Sequence, residues 1–256
     1  MNYIEVIGLS KTYRTGSFLF GSKQEVKALC EVSFTLEPGF YGLLGPNGAG
    51  KSTLMNIIVG TLAQDKGYVL WNGKDTSKLG RSFRRELGYM PQQQNLYDNY
   101  TGIRFLYYIA ALKGISRSEA AEEAERAAAV VNMTSNLGKS LGAYSGGMKQ
   151  RLLAAASIMG HPSLLIMDEP MAGLDPKERV HLRNVLADIA KEAIVLVATH
   201  VVPDIETVAD KILILKHGRL HDMDSPEELI RRYGSTTGME GVYLSIFGTE
   251  DIDESS

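Results

Sequence analysis

The chain has 256 residues, 44% hydrophobic and 22% charged, with a formal net charge of −3. That length suits one large α/β domain, or a core domain with an inserted subdomain, and the charge excludes the bulk basic character of a nucleic-acid binder. A single cysteine, Cys30, rules out an intrachain disulfide and fits a reducing compartment.

In chain order, Met1–Val6 lacks the pattern of a secretory leader, and strands are predicted at 3–7 and 28–36. A buried strand at 41–45 then enters Gly45-Pro46-Asn47-Gly48-Ala49-Gly50-Lys51-Ser52-Thr53. These residues fit G-x-x-x-x-G-K-[ST], a loop that holds nucleotide phosphates. Its glycines let backbone N–H groups turn inward where a Cβ would clash. Lys51 can reach the β- and γ-phosphates, and the Ser52 hydroxyl can ligate Mg²⁺. Leu54–Val59 reads as the helix leaving the loop, stopped by Gly60.

Strands at 68–71 and 86–91 follow, and the first, with the two early strands, suggests an antiparallel piece beside a parallel core. The middle of the chain reads differently. Helices at 102–113, 116–132 and 145–160 succeed one another with no strand between them, so an all-helical subdomain over about 95–160 is expected. Ser116-Arg117-Ser118-Glu119 is a capping box. Ser145-Gly146-Gly147 opens the third helix with unblocked N–H groups, which suits an anion. The longest apolar run, Leu152–Gly160, is far short of the ~18 residues of a membrane span and reads as a buried helix. Work at a membrane is therefore expected to go through docking on another polypeptide.

Leu164–Asp168 is a buried strand followed by Glu169. An Asp at such a strand end, beside a phosphate loop, can hold Mg²⁺. Glu169 can take a proton from the water that attacks the γ-phosphate, or orient that water. Asp175-Pro176 reads as N-cap and N1 of a helix whose Leu182, Val185, Leu186 and Ile189 share one face. Strands at 194–199, 211–215 and 218–222, a helix capped by Ser225, and an acidic end at Glu250–Ser256 expected to fray complete the order.

The ordered set Tyr13, Gly45 to Thr53, Gln92, the helical block, Ser145-Gly146-Gly147, Asp168-Glu169, Asp175 and His200 resembles the ATP-binding cassette ATPases over roughly residues 3–222. The fold implied is α/β: a P-loop NTPase core with a mostly parallel sheet, an antiparallel β subdomain and an inserted α-helical subdomain. It would occupy 1–235, with a short C-terminal tail at 236–256. The resemblance implies that Tyr13 stacks on adenine and that Gln92 contacts Mg²⁺ or the attacking water, with Gln93 and Gln94 as competing registers. It implies that His200 touches the γ-phosphate and that Asp175 sits between two copies. Two positions depart from the family signature, Tyr144 in place of Leu and Met148 in place of Gln; the lost Gln is expected to remove a polar contact near the ribose or the partner loop and to alter affinity rather than abolish activity.

The implied activity is Mg²⁺-dependent ATP hydrolysis by two copies, or a copy and a paralogue, closed face to face, with Lys51 of one and Ser145 of the other on each ATP. The implied partner is a separately encoded transmembrane permease at the cytoplasmic face of the membrane. Gly241–Phe247 is similar to the tail of exporter-type subunits and points to export. No nucleic-acid partner is expected. The alternatives are a cassette ATPase serving nucleic acid, the ribosome or cluster assembly, and an ATP-gated clamp without turnover. A GTPase lacks its N-K-x-D sequence here.

Overall fold

A computed structural model of the chain describes residues 2–15, 24–92 and 97–248. Its strands are β1 (Ile4–Thr15), β2 (Gln24–Leu36), β3 (Gly39–Leu44), β4 (Lys66–Trp71), β5 (Lys74–Asp75), β6 (Leu87–Met90), β7 (Leu164–Asp168), β8 (Ile194–Ala198), β9 (Lys211–Lys216) and β10 (Arg219–Asp224). Its α-helices are α1 (Lys51–Ile58), α2 (Thr76–Leu79), α3 (Arg81–Glu86), α4 (Gly102–Lys113), α5 (Ala120–Val130), α6 (Gly146–Ile158), α7 (Pro176–Ala190), α8 (Pro226–Tyr233) and α9 (Gly238–Phe247).

Two sheets result. One has the order β2-β1-β4-β5, antiparallel throughout. The other has the order β10-β9-β3-β8-β7-β6, parallel except for β10 at its edge. Strands β3, β7 and β8 are buried at every position, because apolar layers cover both faces of the parallel sheet. Alternate residues serve the two layers. Phe40, Leu165 and Val195 join the layer that holds α4–α9, while Tyr41, Leu164 and Ile194 join the layer that holds α1 and the antiparallel sheet.

The N-terminal strands run further than the 3–7 and 28–36 expected from the sequence. Their pairing slips between Val6 and Leu9, Leu9 and Lys11, and Lys11 and Thr12, and both Gly8 and Glu31 have positive φ. Each bulge rephases which residues face inward, so apolar alternation breaks while the hydrogen-bonded ladder continues. Helices α2 and α3 and strand β5 are too short to leave a periodic signal.

The caps form as the sequence suggests. The Ser116 and Glu119 side chains exchange hydrogen bonds with each other's backbone N–H at 3.3 Å, and α5 begins one residue after Glu119. Asp175 accepts from Glu178 N at 3.0 Å at the start of α7. Seven consecutive residues of α6, Leu152–Ile158, are buried. The chain from 238 to 247, within the expected tail, is helix α9, with Met239, Val242, Ile246 and Phe247 buried. Positions 93–96 and 249–256, which include Gln93, Gln94 and the acidic end, lie outside the described residues.

Candidate functional site

Four chain segments leave the parallel sheet at the same edge: the loop after β3, Gln92 after β6, Asp168-Glu169 at the end of β7, and Thr199-His200 after β8. Ligands in open α/β sheets bind outside the carboxyl ends of the strands, and a cleft of about 300 Å³ opens there. It is lined by Tyr13, the loop residues Pro46, Asn47, Gly48 and Gly50 to Thr53, and Gln92, Asp168 and Glu169. A wider recess of about 760 Å³ shares Pro46, Asn47, Gly48, Gln92 and Glu169 with it, and adds Gly45, Ala49, His200, His217 and Tyr243.

The loop's shape follows from its glycines. Gly50, at φ 103, caps α1 in a left-handed conformation, and a Cβ there would lie 2.4 Å from Ala28 O. Gly48, at φ 80, meets nothing within 4 Å at its would-be Cβ, so its backbone is bare toward the cleft. Lys51 folds back, donating from Nζ to Gly45 O at 2.5 Å and Pro46 O at 3.0 Å. Burial holds the Lys51 ammonium below the usual lysine range, opposed by the charges of Glu169 and Asp168.

Ser52 Oγ donates to Asp168 Oδ2 at 2.9 Å. Burial pushes the Asp168 carboxyl upward, as does the Glu169 charge; the Ser52 hydrogen bond and the Lys51 charge work against them. Glu169 is buried, at 8% exposure, and sits at φ 51, a conformation that costs a non-glycine residue ~1–2 kcal/mol. Its carboxylate accepts from Thr199 Oγ1 at 3.0 Å, His200 N at 2.9 Å and His200 Nδ1 at 2.6 Å. Both His200 contacts, from its backbone N–H and from its ring, fall on the same carboxylate oxygen, Oε1. Glu169 and His200 thus form one unit.

On the antiparallel sheet, Tyr13 pairs with Val26 across β1 and β2, and both line the cleft. The Tyr13 hydroxyl lies 3.3 Å from Thr53 Oγ1, so this strand is tied to the end of the loop. The sequence offers no marker for Val26, His217 or Tyr243, since each enters the lining only through its neighbours in space.

Ser145, Gly146, Gly147 and Asp175 do not line either cavity. Ser145 caps α6, accepting from Met148 N at 3.3 Å. A Cβ on Gly147 would lie 3.2 Å from Gly173 O, so the start of α6 rests on the turn that leads to Asp175. The two departures from the family signature are structural. Tyr144 is buried, at 6% exposure, and donates its hydroxyl to Asn136 O at 2.7 Å. Met148 is half-buried against the helical layer. The Tyr144 side chain thus packs into the core beside the start of α6.

Among the described residues no helix is long and apolar enough to cross a membrane. Residues 29–172 match the sequence profile of the family described as ABC transporter. The linearmycin resistance ATP-binding protein LnrL of Bacillus subtilis is 32% identical over 220 residues, which are 85% of this chain and 70% of that protein. Of the A-family ABC transporters of Arabidopsis thaliana that it also matches, the chain spans 22% to 23% of the length. A solved ATP-binding subunit of an ABC transporter superposes with a TM-score of 0.80 at 27% identity, covering 94% of this chain and 98% of that one. A dimeric ATP-binding cassette in a post-hydrolysis state, bound to ADP and Pi, has the same fold, with a TM-score of 0.76 at 23% identity, covering 87% of this chain and 98% of that one.

Proposed function

Because the chain belongs to the ABC transporter family, as an ATP-binding and ATP-hydrolysing domain, we propose that it works as follows. It takes ATP with Mg²⁺ in the cleft after β3, closes against a second copy or a paralogous subunit, and powers a separately encoded transmembrane permease from the cytoplasmic face of the membrane. The direction proposed is export, in keeping with a relative named for linearmycin resistance.

The residues present fit the nucleotide and its cation. Gly48 leaves backbone open toward a phosphate, and Lys51 is a desolvated ammonium that donates to two carbonyls of its own loop. A phosphate oxygen would replace neutral acceptors with a charged one. Ser52, Asp168 and Gln92 offer the oxygen donors that suit Mg²⁺. When bound, that ion neutralises charge on the β- and γ-phosphates.

The protein groups divide the remaining work. Tyr13 and Val26 give the base an apolar platform. Gly45 to Thr53 wrap the phosphates with backbone N–H groups and Lys51. Glu169 takes a proton from the attacking water, and His200 orients its carboxylate and faces the terminal phosphate. Ser145, Gly146, Gly147 and Asp175 serve the partner's nucleotide, which accounts for their distance from the cleft of their own chain. The terminal phosphate is then gripped by both protomers only when they are closed, so its cleavage favours reopening.

The observation that carries this reading is the convergence of Lys51, the Ser52–Asp168 pair and Glu169 on one cleft, with His200 bonded to Glu169 from the adjoining recess. Phosphate release and nucleotide binding by the full chain test it. Lys51→Ala is expected to abolish ATP binding. Glu169→Gln is expected to keep ATP, cut hydrolysis about a hundredfold or more, and run as a dimer on gel filtration with ATP. Full turnover by Glu169→Gln would refute the base assignment.

A further inference from the structure

The backbone of Glu169 is held as firmly as its carboxylate, and by a residue from elsewhere in the fold. Gln150, on the second turn of α6, donates from Nε2 to Glu169 O at 2.7 Å. The same carbonyl accepts from Ala172 N at 3.2 Å, while Glu169 N donates to Ala198 O at 2.8 Å. A carbonyl oxygen has two lone pairs, and here both are used. Glu169 holds a left-handed conformation at φ 51, which persists only where surrounding structure over-determines it. Of these three backbone contacts, two are local or come from the adjacent strand. Only the Gln150 amide reaches in from the helical layer.

The origin of Gln150 matters. Helix α6 starts at Gly146, capped by Ser145, and Lys149 N closes its first turn on Ser145 O at 3.0 Å. Ser145-Gly146-Gly147 and Gln150 are therefore one rigid piece. On its neighbouring residue, Arg151, α6 also makes an ion pair with Glu178 in the first turn of α7, 3.4 Å apart. The start of α6 thus holds both ends of the segment from Glu169 to Glu178.

We propose that Gln150 is a positioning residue that ties the Ser145-Gly146-Gly147 end of α6 to the peptide of Glu169, so that the base is aligned only when the start of α6 is in place. This rests on Glu169 being the base. In a closed pair, the start of α6 touches the partner's nucleotide while Glu169 serves the nucleotide of its own chain. Gln150 then links the two sites within one protomer. Its contact is with the backbone, so its loss alters the aim of the carboxylate and leaves the phosphate-binding groups intact.

The test uses the full chain and steady-state phosphate release over a range of ATP concentrations. Gln150→Leu removes the donor; Gln150→Glu keeps the shape and puts an acceptor against a carbonyl, and covers the case in which the leucine variant folds poorly. Both are expected to lower kcat about tenfold, the worth of one well-placed hydrogen bond, with KM for ATP within twofold of wild type. In the Glu169→Gln background, Gln150→Leu is expected to leave the ATP-dependent dimer on gel filtration unchanged, which a general loosening of α6 would not. A kcat within twofold of wild type, a rise in KM that accounts for the loss, or failure of the double variant to dimerise would each overturn the proposal. Wild-type chain assayed in parallel separates the two readings: active wild type with unaffected Gln150 variants sinks this inference alone, whereas inactive wild type sinks the functional reading beneath it.

Discussion

Tyr144 offers the sharpest check on the packing around α6. Its hydroxyl donates to Asn136 O at 2.7 Å, and Asn136 O also accepts from Lys139 N at 3.0 Å. Tyr144→Phe therefore removes one hydrogen bond without orphaning the carbonyl, a loss of about 1 kcal/mol. The hydroxyl also occupies space that only glycine leaves open. A Cβ at Gly102, the first residue of α4, would lie 2.3 Å from the Tyr144 hydroxyl and 3.3 Å from Leu137 Cα and O. Gly102→Ala thus overpacks the site, at about 2 kcal/mol, despite the better helix propensity of alanine. In the double variant the closest contact is gone, so the alanine should cost little more than the phenylalanine alone. For a chain of this size about 1 kcal/mol lowers Tm by about 3 °C. Calorimetry should show drops of about 3 °C and about 6 °C for the single variants and about 4 °C for the double, a coupling of about 1.5 kcal/mol. Additive drops of about 9 °C would refute the claim that the hydroxyl is what excludes a side chain at Gly102.

Two further outcomes follow from buried charges. Because burial raises the Asp168 carboxyl, protonation on acidification begins above the ordinary carboxylate range; the Mg²⁺-dependent part of ATP affinity, read with a fluorescent nucleotide, should fall early on that side, and Asp168→Asn should lack this fall. Affinity that stays flat down to about pH 4, the ordinary carboxylate range, would count against it. Burial lowers the Lys113 ammonium to about 8 from the usual lysine value of 10.5, where it donates to Met159 O at 2.5 Å and Ser157 O at 3.4 Å at the end of α6. Between those two values the unfolded chain holds a proton that the folded chain has released, so stability rises with pH through that window and the penalty is complete below it. Relative to Lys113→Met, the wild type should gain about 3 kcal/mol from neutral pH to above 10 in denaturation experiments; parallel curves would refute the shift.

Much of this architecture is legible in the chain. The strand–loop–helix around Gly45 to Thr53 reads correctly because each part is local: an apolar run, glycines where backbone must approach closely, and a helix with Gly60 after it. The caps at Ser116, Asp175 and Ser225 read correctly for the same reason, since a cap is a contact over three residues. The bulged β1 and β2 do not read, because their faces change phase along the ladder and apolar alternation no longer marks a strand. Tyr144 adjoins a motif, but adjacency in sequence does not decide which way a side chain turns at a helix N-terminus, and here it turns into the core.

The contacts most opaque in the sequence are those that make Glu169 useful. The order of Asp168, Glu169 and His200 along the chain names the residues but not their bonds. Nothing in the spacing of 31 positions between Glu169 and His200 says that one imidazole nitrogen meets the carboxylate at 2.6 Å. That contact exists because β7 and β8 are parallel neighbours in register, Asp168 beside Ala198, so the residues just past their ends emerge together. Gln150 is harder still. It sits three residues beyond a glycine pair that draws attention to itself, in a helix whose apolar character says only that it is buried. The partner it has, a main-chain oxygen, carries no side-chain identity at all. A backbone acceptor leaves no trace in the residue that bears it, so a donor aimed at one can be found only once strand, turn and helix are placed together.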